Sequence, residues 1–467
     1  MKKSRLYRIL LTFSSKEQRE LIDLVASPFF NKRSQLPVLL EYLFHCINKN
    51  STEPQRERAF SKMYPKEKFY DPKLRIARSD LLRLTEEYLV QKNRQADDVA
   101  WRIELAGAYR QRKLPKQFQR TLKQARQEQK KQPLRNDNYF NNNYEINLEE
   151  LKFITLNKRV NTEILQDISD NIDFAFLTLK LRQTCFLLSH QNIQQAEYRF
   201  GLIEAITHYI QEQNFLEIPA IAVYYYTYFM LTQPQQEQHF QQLKLLLDQH
   251  SDRFPIYEIR DVYLMAINFC IKKINNGQVK YYDECLDLYE AALSKNYLSE
   301  NGILSRFTFS NIVGLGIKRG TYQRVENFIQ NYIEAVEIAY RENTLNFNLG
   351  RLEYAKKNYL RALQLLIMVD DKDPITVLIA KMIQLKIYYE TDELDVLETH
   401  LDAMRTYIRR KQLAYQATHF LNVIKYVKKM LTLNPFDKKG RVQLAQAIEN
   451  EEVVTERDWL LKQLREN

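Results

Sequence analysis

Apolar positions recur along this chain at helical spacing, and no segment alternates long enough to predict a strand. In "SSKEQRELIDLVASPFFNK", Leu21, Ile22, Leu24 and Val25 make one apolar face. Ser14 and Glu17 precede it as a capping box, the Ser oxygen taking a free backbone N–H while Glu reaches back to the cap. Pro28 cannot sit inside a helix and so ends it; the Phe29–Phe30 pair is expected to be buried in the corner. A helix over about 34–48 follows. Next come a short helix, a Pro-containing loop and a longer helix carrying Leu74, Leu81, Leu84, Tyr88 and Leu89. Two more helices span 98–131, broken near "KLPKQ".

The stretch "KKQPLRNDNYFNNNYE" is rich in Asn, which favours turns, and suggests a boundary. Two regions are therefore expected: a helical N-terminal region over 1–135 and a longer helical array over 136–467. Only 9 Gly and 12 Pro punctuate 467 residues, which suits long helices with short connections and an all-α fold.

The most regular stretch is "LGRLEYAKKNYLRALQLLIMVDDKDP" (Leu349 to Pro374). Leu349 and Gly350 fall mid-helix, Tyr359 opens the next helix, Ala362 lies one turn in, and Pro374 ends the unit. Two helices approach closely only where a small residue faces the partner, and Gly350 and Ala362 supply that contact. Related positions are Cys285, Val325 and Val396, giving spacings of 40, 37 and 34 residues with Ala362; Leu243 and Ala196 extend the series upstream. This pattern resembles the tetratricopeptide repeat, a helix–turn–helix unit of 34 residues. The resemblance covers 343–374 best and extends to about 263–404. It departs from the family at Glu353, Leu366 and Val369. It implies an α-solenoid of stacked antiparallel hairpins, because one such hairpin cannot bury its apolar face alone. The end of the chain, from Arg441, reads as a polar closing helix pair bearing Trp459. The N-terminal arrangement resembles that of helical proteins of Bacteroidota, a likeness that implies no function.

In the family the first helix of each unit lines a concave groove. The resemblance thus places Phe347, Arg351 and Tyr354 inward, and Lys381, Leu385 and Tyr388 on the next unit. The aromatics would grip apolar side chains and the two cations would bind carboxylates. A non-enzymatic scaffold or adaptor, binding a peptide or partner helix, is the function this implies.

Charge adds a second reading. Residues 1–135 hold 31 Lys and Arg against 15 Asp and Glu, although the whole chain is only +11. In "YRQRKLPKQFQRTLKQARQEQKKQ", Arg112, Lys116, Arg120 and Lys123 step along one face, with Lys130 and Lys131 beyond. Phe118, Leu122 and Ala125 step along the other. Such a face could track a phosphate backbone, making the protein nucleic-acid-associated, with the array recruiting a partner.

Other chemistries lack a signature. "GLGIKRG" (Gly314 to Gly320) looks like a phosphate loop, but no strand precedes it; it fits a helix and its turn. The His residues show neither i, i+4 pairing nor HExxH, so no metal or other cofactor is expected. No GxSxG elbow or paired acid–base motif occurs. The four Cys form no CxxC and read as buried thiols of a reducing compartment. The longest apolar run, Ile218 to Leu231, is shorter than the about 20 residues a bilayer span needs, and a cytoplasmic location is expected.

Overall fold

The computed structural model describes residues 4–49, 53–155, 162–194, 196–370, 373–411, 414–434 and 437–466. Among the described residues the protein is all-α apart from one tiny hairpin. It divides into two compact units, 1–180 and 181–467.

The first unit opens with α1 (Arg5–Leu10), α2 (Ser15–Ala26), α3 (Gln35–Asn48), α4 (Arg56–Met63) and α5 (Asp71–Ala96). The capping box of α2 is present: the Ser14 N–H donates to Glu17 Oε2 at 2.8 Å, and the Glu17 N–H donates to Ser14 Oγ at 3.4 Å. The helix stops two residues before Pro28. These five helices share a core that includes Leu10, Leu21, Leu40, Phe60 and Leu81. Contrary to expectation, Phe29 is 84% exposed; only Phe30 packs against that core, with Phe29 edge-on against it. One ring closes the corner, and the second has no gap to fill.

Then come α6 (Asp98–Gln111), α7 (Pro115–Lys131) and α8 (Asp137–Ile154), which pack on one another. Val99, Ile103, Phe118, Leu122, Ala125 and Ile146 form their core, and Phe118 stacks on Phe153 at 4.4 Å. The Asn-rich stretch read as a boundary contributes much of α8, inside this unit. The units divide within α9 (Thr162–Gln194).

In the second unit, α10 (Ile203–Glu212) is followed by α11 (Pro219–Thr232), α12 (Glu237–His250), α13 (Ile256–Asn275) and α14 (Tyr281–Ser294). The hairpin strands β1 (Ser299–Glu300) and β2 (Ile303–Leu304) pair antiparallel. After them come α15 (Arg306–Arg319), α16 (Tyr322–Tyr332), α17 (Ile338–Ala355), α18 (Tyr359–Ile367), α19 (Pro374–Glu390) and α20 (Leu394–Lys411). Last are α21 (Ala414–Thr432), α22 (Lys438–Glu449) and α23 (Arg457–Glu466). Successive pairs from α11–α12 to α19–α20 each pack together, and α11 packs on α13, α15 on α17, and α17 on α19. The apolar run Ile218–Leu231 forms α11, and no helix among the described residues is long and apolar enough to cross a membrane.

One turn closes most of these pairs. Gly277, Gly320, Lys357 and Asp392 take left-handed backbone conformations. In each case the next N–H donates to a carbonyl five residues back: Gln278 to Lys273, Thr321 to Gly316, Asn358 to Glu353, Glu393 to Tyr388. This satisfies carbonyls that the helix end leaves free and reverses the chain. Lys113, between α6 and α7, does the same, with Leu114 donating to Tyr109 O at 3.0 Å.

Inside the pairs, close approach falls at small residues. Ala362 is fully buried. A Cβ on Gly350 would stand 2.7 Å from Leu366 Cδ2, and one on Gly316 would stand 2.4 Å from Val325 Cγ2. Three expected positions differ. Val396 is exposed while Leu397 is fully buried, so the register of α20 shifts by one. Ala196 lies outside any helix. Pro374, expected to end a unit, is instead the first residue of α19, where its missing N–H costs nothing.

Candidate functional site

A cavity of about 730 Å³ lies along the first helices of consecutive pairs, α13, α15, α17 and α19. The lining positions of α17 are Tyr340, Asn343, Thr344, Phe347 and Arg351, spaced i, i+3, i+4, i+7, i+11, a single helical stripe. Ile375, Thr376 and Ile379 line it from the first turns of α19, and Phe307, Ser310 and Gly314 from α15. Phe307 is 61% exposed, an aromatic ring available to a ligand.

Arg351 dominates the chemistry. Its Nη1 donates to Ser310 O at 3.0 Å and to Asn348 Oδ1 at 3.3 Å. Asn348 is fully buried and held by Ser310 Oγ and Thr344 O, so it presents its oxygen to the cation. Burial pushes the Arg351 guanidinium down to about 10, weakly opposed by the charge of Glu456. The group is still a cation at neutral pH. Among the described residues it has no carboxylate within ion-pair distance. Asp373, the acid of the cavity, is occupied as the cap of α19, accepting from Ile375 N and from Thr376 Oγ1. Two further cations line the space: Arg306, whose guanidinium lies 4.1 Å from the Tyr340 ring, and Lys318. An apolar groove thus carries three cations against one engaged acid.

Of the six groove residues read from the sequence, Phe347 and Arg351 line this cavity. Tyr354 lies further along α17 and turns toward the C-terminal helices. Its hydroxyl donates to Glu390 Oε1 at 2.8 Å, as Trp459 Nε1 does at 2.7 Å; Tyr359 OH donates to Glu390 Oε2 at 2.6 Å. Lys381, Leu385 and Tyr388 are not brought to the cavity. They stand about half a turn round α19 from Ile375 and Ile379, facing α20. Leu385 is fully buried, Lys381 lies over the Tyr407 ring, and Tyr388 meets His400 edge-on.

The sequence reading missed Arg306, Phe307, Tyr340 and Gly314. Two glycines within one helix, Gly314 and Gly316, were the available signal. Glycine there costs about 1 kcal/mol against alanine, which makes sense where something must come close. At Gly316 that is Val325; at Gly314 it is the Arg351 guanidinium.

On the first unit, Lys116, Arg120 and Lys123 are exposed, and Phe118, Leu122 and Ala125 beneath them are buried. Arg112 does not belong to their helix. It caps the end of α6, its guanidinium donating to Ala108 O, because the left-handed Lys113 and Pro115 start a new helix after it. No group of three or more His, Cys, Asp or Glu among the described residues is placed to hold a metal ion. Neither protein-family models nor curated proteins match the chain.

Proposed function

We propose that the protein is a non-enzymatic interaction scaffold of tetratricopeptide-like architecture. A peptide or helix of a partner protein lies in the groove over α15, α17 and α19. One observation carries this reading: a desolvated guanidinium, Arg351, sits in an apolar groove without an acid to pair with. An acidic side chain of the partner would meet Arg351, while apolar neighbours pack on Phe307, Phe347 and Ile379. Charge-assisted, largely desolvated pairs of this kind are the ones whose loss costs most in binding.

The test places a photo-crosslinking residue at the exposed groove position Phe307 in the full chain within its native cells. A partner segment bearing Asp or Glu should be captured. Binding of that segment to the purified protein should weaken about 30-fold or more in Arg351→Gln, with the melting curve little changed. Capture only from positions outside the groove, or equal affinity in the variant, would overturn the reading.

A further inference from the structure

The outer stripe of α7 is a straight row of exposed cations. Lys116, Arg120, Lys123 and Lys130 are spaced i, i+4, i+7, i+14 and all are exposed. They make one line about 21 Å long. The residue that continues the line is Gln127, and no acid interrupts it.

Alignment sets these cations apart. Elsewhere in the unit some cations meet carboxylates, Arg33 with Asp80, Lys73 with Glu67 and Arg110 with Glu149, while exposed ones such as Arg19, Arg58, Lys66 and Lys68 make no ion pair among the described residues but are scattered over several elements. On α7 itself, Arg126, off the line, pairs with Glu150, and Lys131, at its edge, pairs with Glu128. None of the four on the line has an acidic partner among the described residues. Like charges one turn apart repel, and Lys116 sits in the first turn, where the helix dipole disfavours a cation. Helix stability alone does not account for this arrangement.

We propose that this stripe binds the phosphate backbone of duplex nucleic acid without reading its sequence. This is independent of the groove. Charge complementarity selects a linear polyanion. An anionic membrane fits less well, since surface-lying helices insert an apolar face. Here that face is committed to the core, with Phe118 stacked on Phe153 and Leu122 and Ala125 buried. A protein partner would want an apolar centre to the contact, and the stripe offers only charged and amide heads. Single strands are held by aromatic stacking platforms, and the stripe carries no aromatic ring. Four phosphate contacts imply a slope of log K against log[salt] of roughly −3.6, or about 100-fold weaker binding at 200 mM than at 50 mM.

The experiment uses the full chain and a fluorescein-labelled 20-base-pair duplex of arbitrary sequence, read by anisotropy across that salt range. One variant carries Lys116→Gln, Arg120→Gln, Lys123→Gln and Lys130→Gln. A charge-matched control carries Arg19→Gln, Arg58→Gln, Lys66→Gln and Lys68→Gln, all exposed elsewhere in the unit. Circular dichroism melts confirm that each variant is folded. The stripe variant should lose about 30-fold or more at 50 mM, the control less than about threefold, and the parent should show the stated slope. The proposal is overturned if the parent does not bind at 50 mM, or if the control loses as much, which would make net charge the cause. It is equally overturned if single-stranded oligonucleotide, polyglutamate or phosphatidylserine vesicles compete better than unlabelled duplex.

Discussion

The guanidinium of Arg351 occupies the space that a side chain at Gly314 would fill: a Cβ there would stand 2.6 Å from Nη2. One helix gives up a side chain so that the next can keep a cation at the groove floor.

Three helical glycines should therefore respond differently to alanine. At Gly314 the obstacle is the far end of a flexible side chain. Alanine's better helix propensity, about 0.5–1 kcal/mol, offsets the weakened guanidinium bonds, and stability should change by less than about 1 kcal/mol. At Gly316 and Gly350 the obstacles are the buried Val325 and Leu366, and alanine should cost about 1–3 kcal/mol. Denaturant titrations of the three variants check this; equal costs would contradict it.

The shared turn makes a prediction of opposite sign. A non-glycine residue held left-handed costs about 1–2 kcal/mol, so Lys357→Gly should stabilise the second unit by part of that amount. Gly320→Ala, at φ 82, should destabilise it by about 1 kcal/mol. Paired melting curves read both.

Ala362 has no room around it. Ala362→Phe would force α17 and α18 apart and should cost at least about 1–3 kcal/mol by overpacking. A variant melting like the parent would show that these helices do not meet at Ala362.

Acid should weaken the first unit through Glu149. Burial alone would raise its carboxyl, but hydrogen bonds and charge from Arg110 and Lys152 outweigh this and hold it below its ordinary 4.5. A depressed carboxylate stabilises the fold above its unfolded pKa, and that contribution is lost as pH falls through the folded value. Glu149→Gln should cost about 2–3 kcal/mol at pH 7, and the gap from the parent should shrink below pH 4.5. Denaturation midpoints at pH 7, 5 and 3 measure it.

The thiols should be inert in the folded protein. All four cysteines are buried. Burial pushes the Cys185 thiol up; the hydrogen bond with Cys285, then burial, does the same for Cys270. Iodoacetamide at pH 8 should give no adduct at these two sites until denaturant is added, as mass spectrometry would show.

The helices were legible where local chemistry speaks alone: the Ser14–Glu17 box, Pro28, and the break before Pro115. The turns at Lys113, Lys357 and Asp392 were not, since lysine and aspartate do the work glycine does at Gly277 and Gly320. That missing signal also hid register. Val396 and Leu397 are adjacent apolar residues, and only packing chooses between them. The groove was half legible for a related reason. Periodicity says which residues share a face, so Phe347 and Arg351 came together. It does not say which neighbour a face meets, and Lys381, Leu385 and Tyr388, expected inward, face α20 and do not line the cavity. Arg306 and Gly314 become visible only once α15 lies against α17.

The hydrogen bond from Trp459 to Glu390 has an optical consequence. The chain has two tryptophans, and each unit holds one: Trp101, 43% exposed, in the first and Trp459, half-buried, in the second. Trp101 is the more exposed of the two. Trp101 should therefore shift less on unfolding than Trp459, which loses a carboxylate partner and its contact with Tyr389. The larger part of the fluorescence shift should thus follow the second unit's C-terminal helices, without an added dye, in the same sample whose ellipticity follows every helix at once.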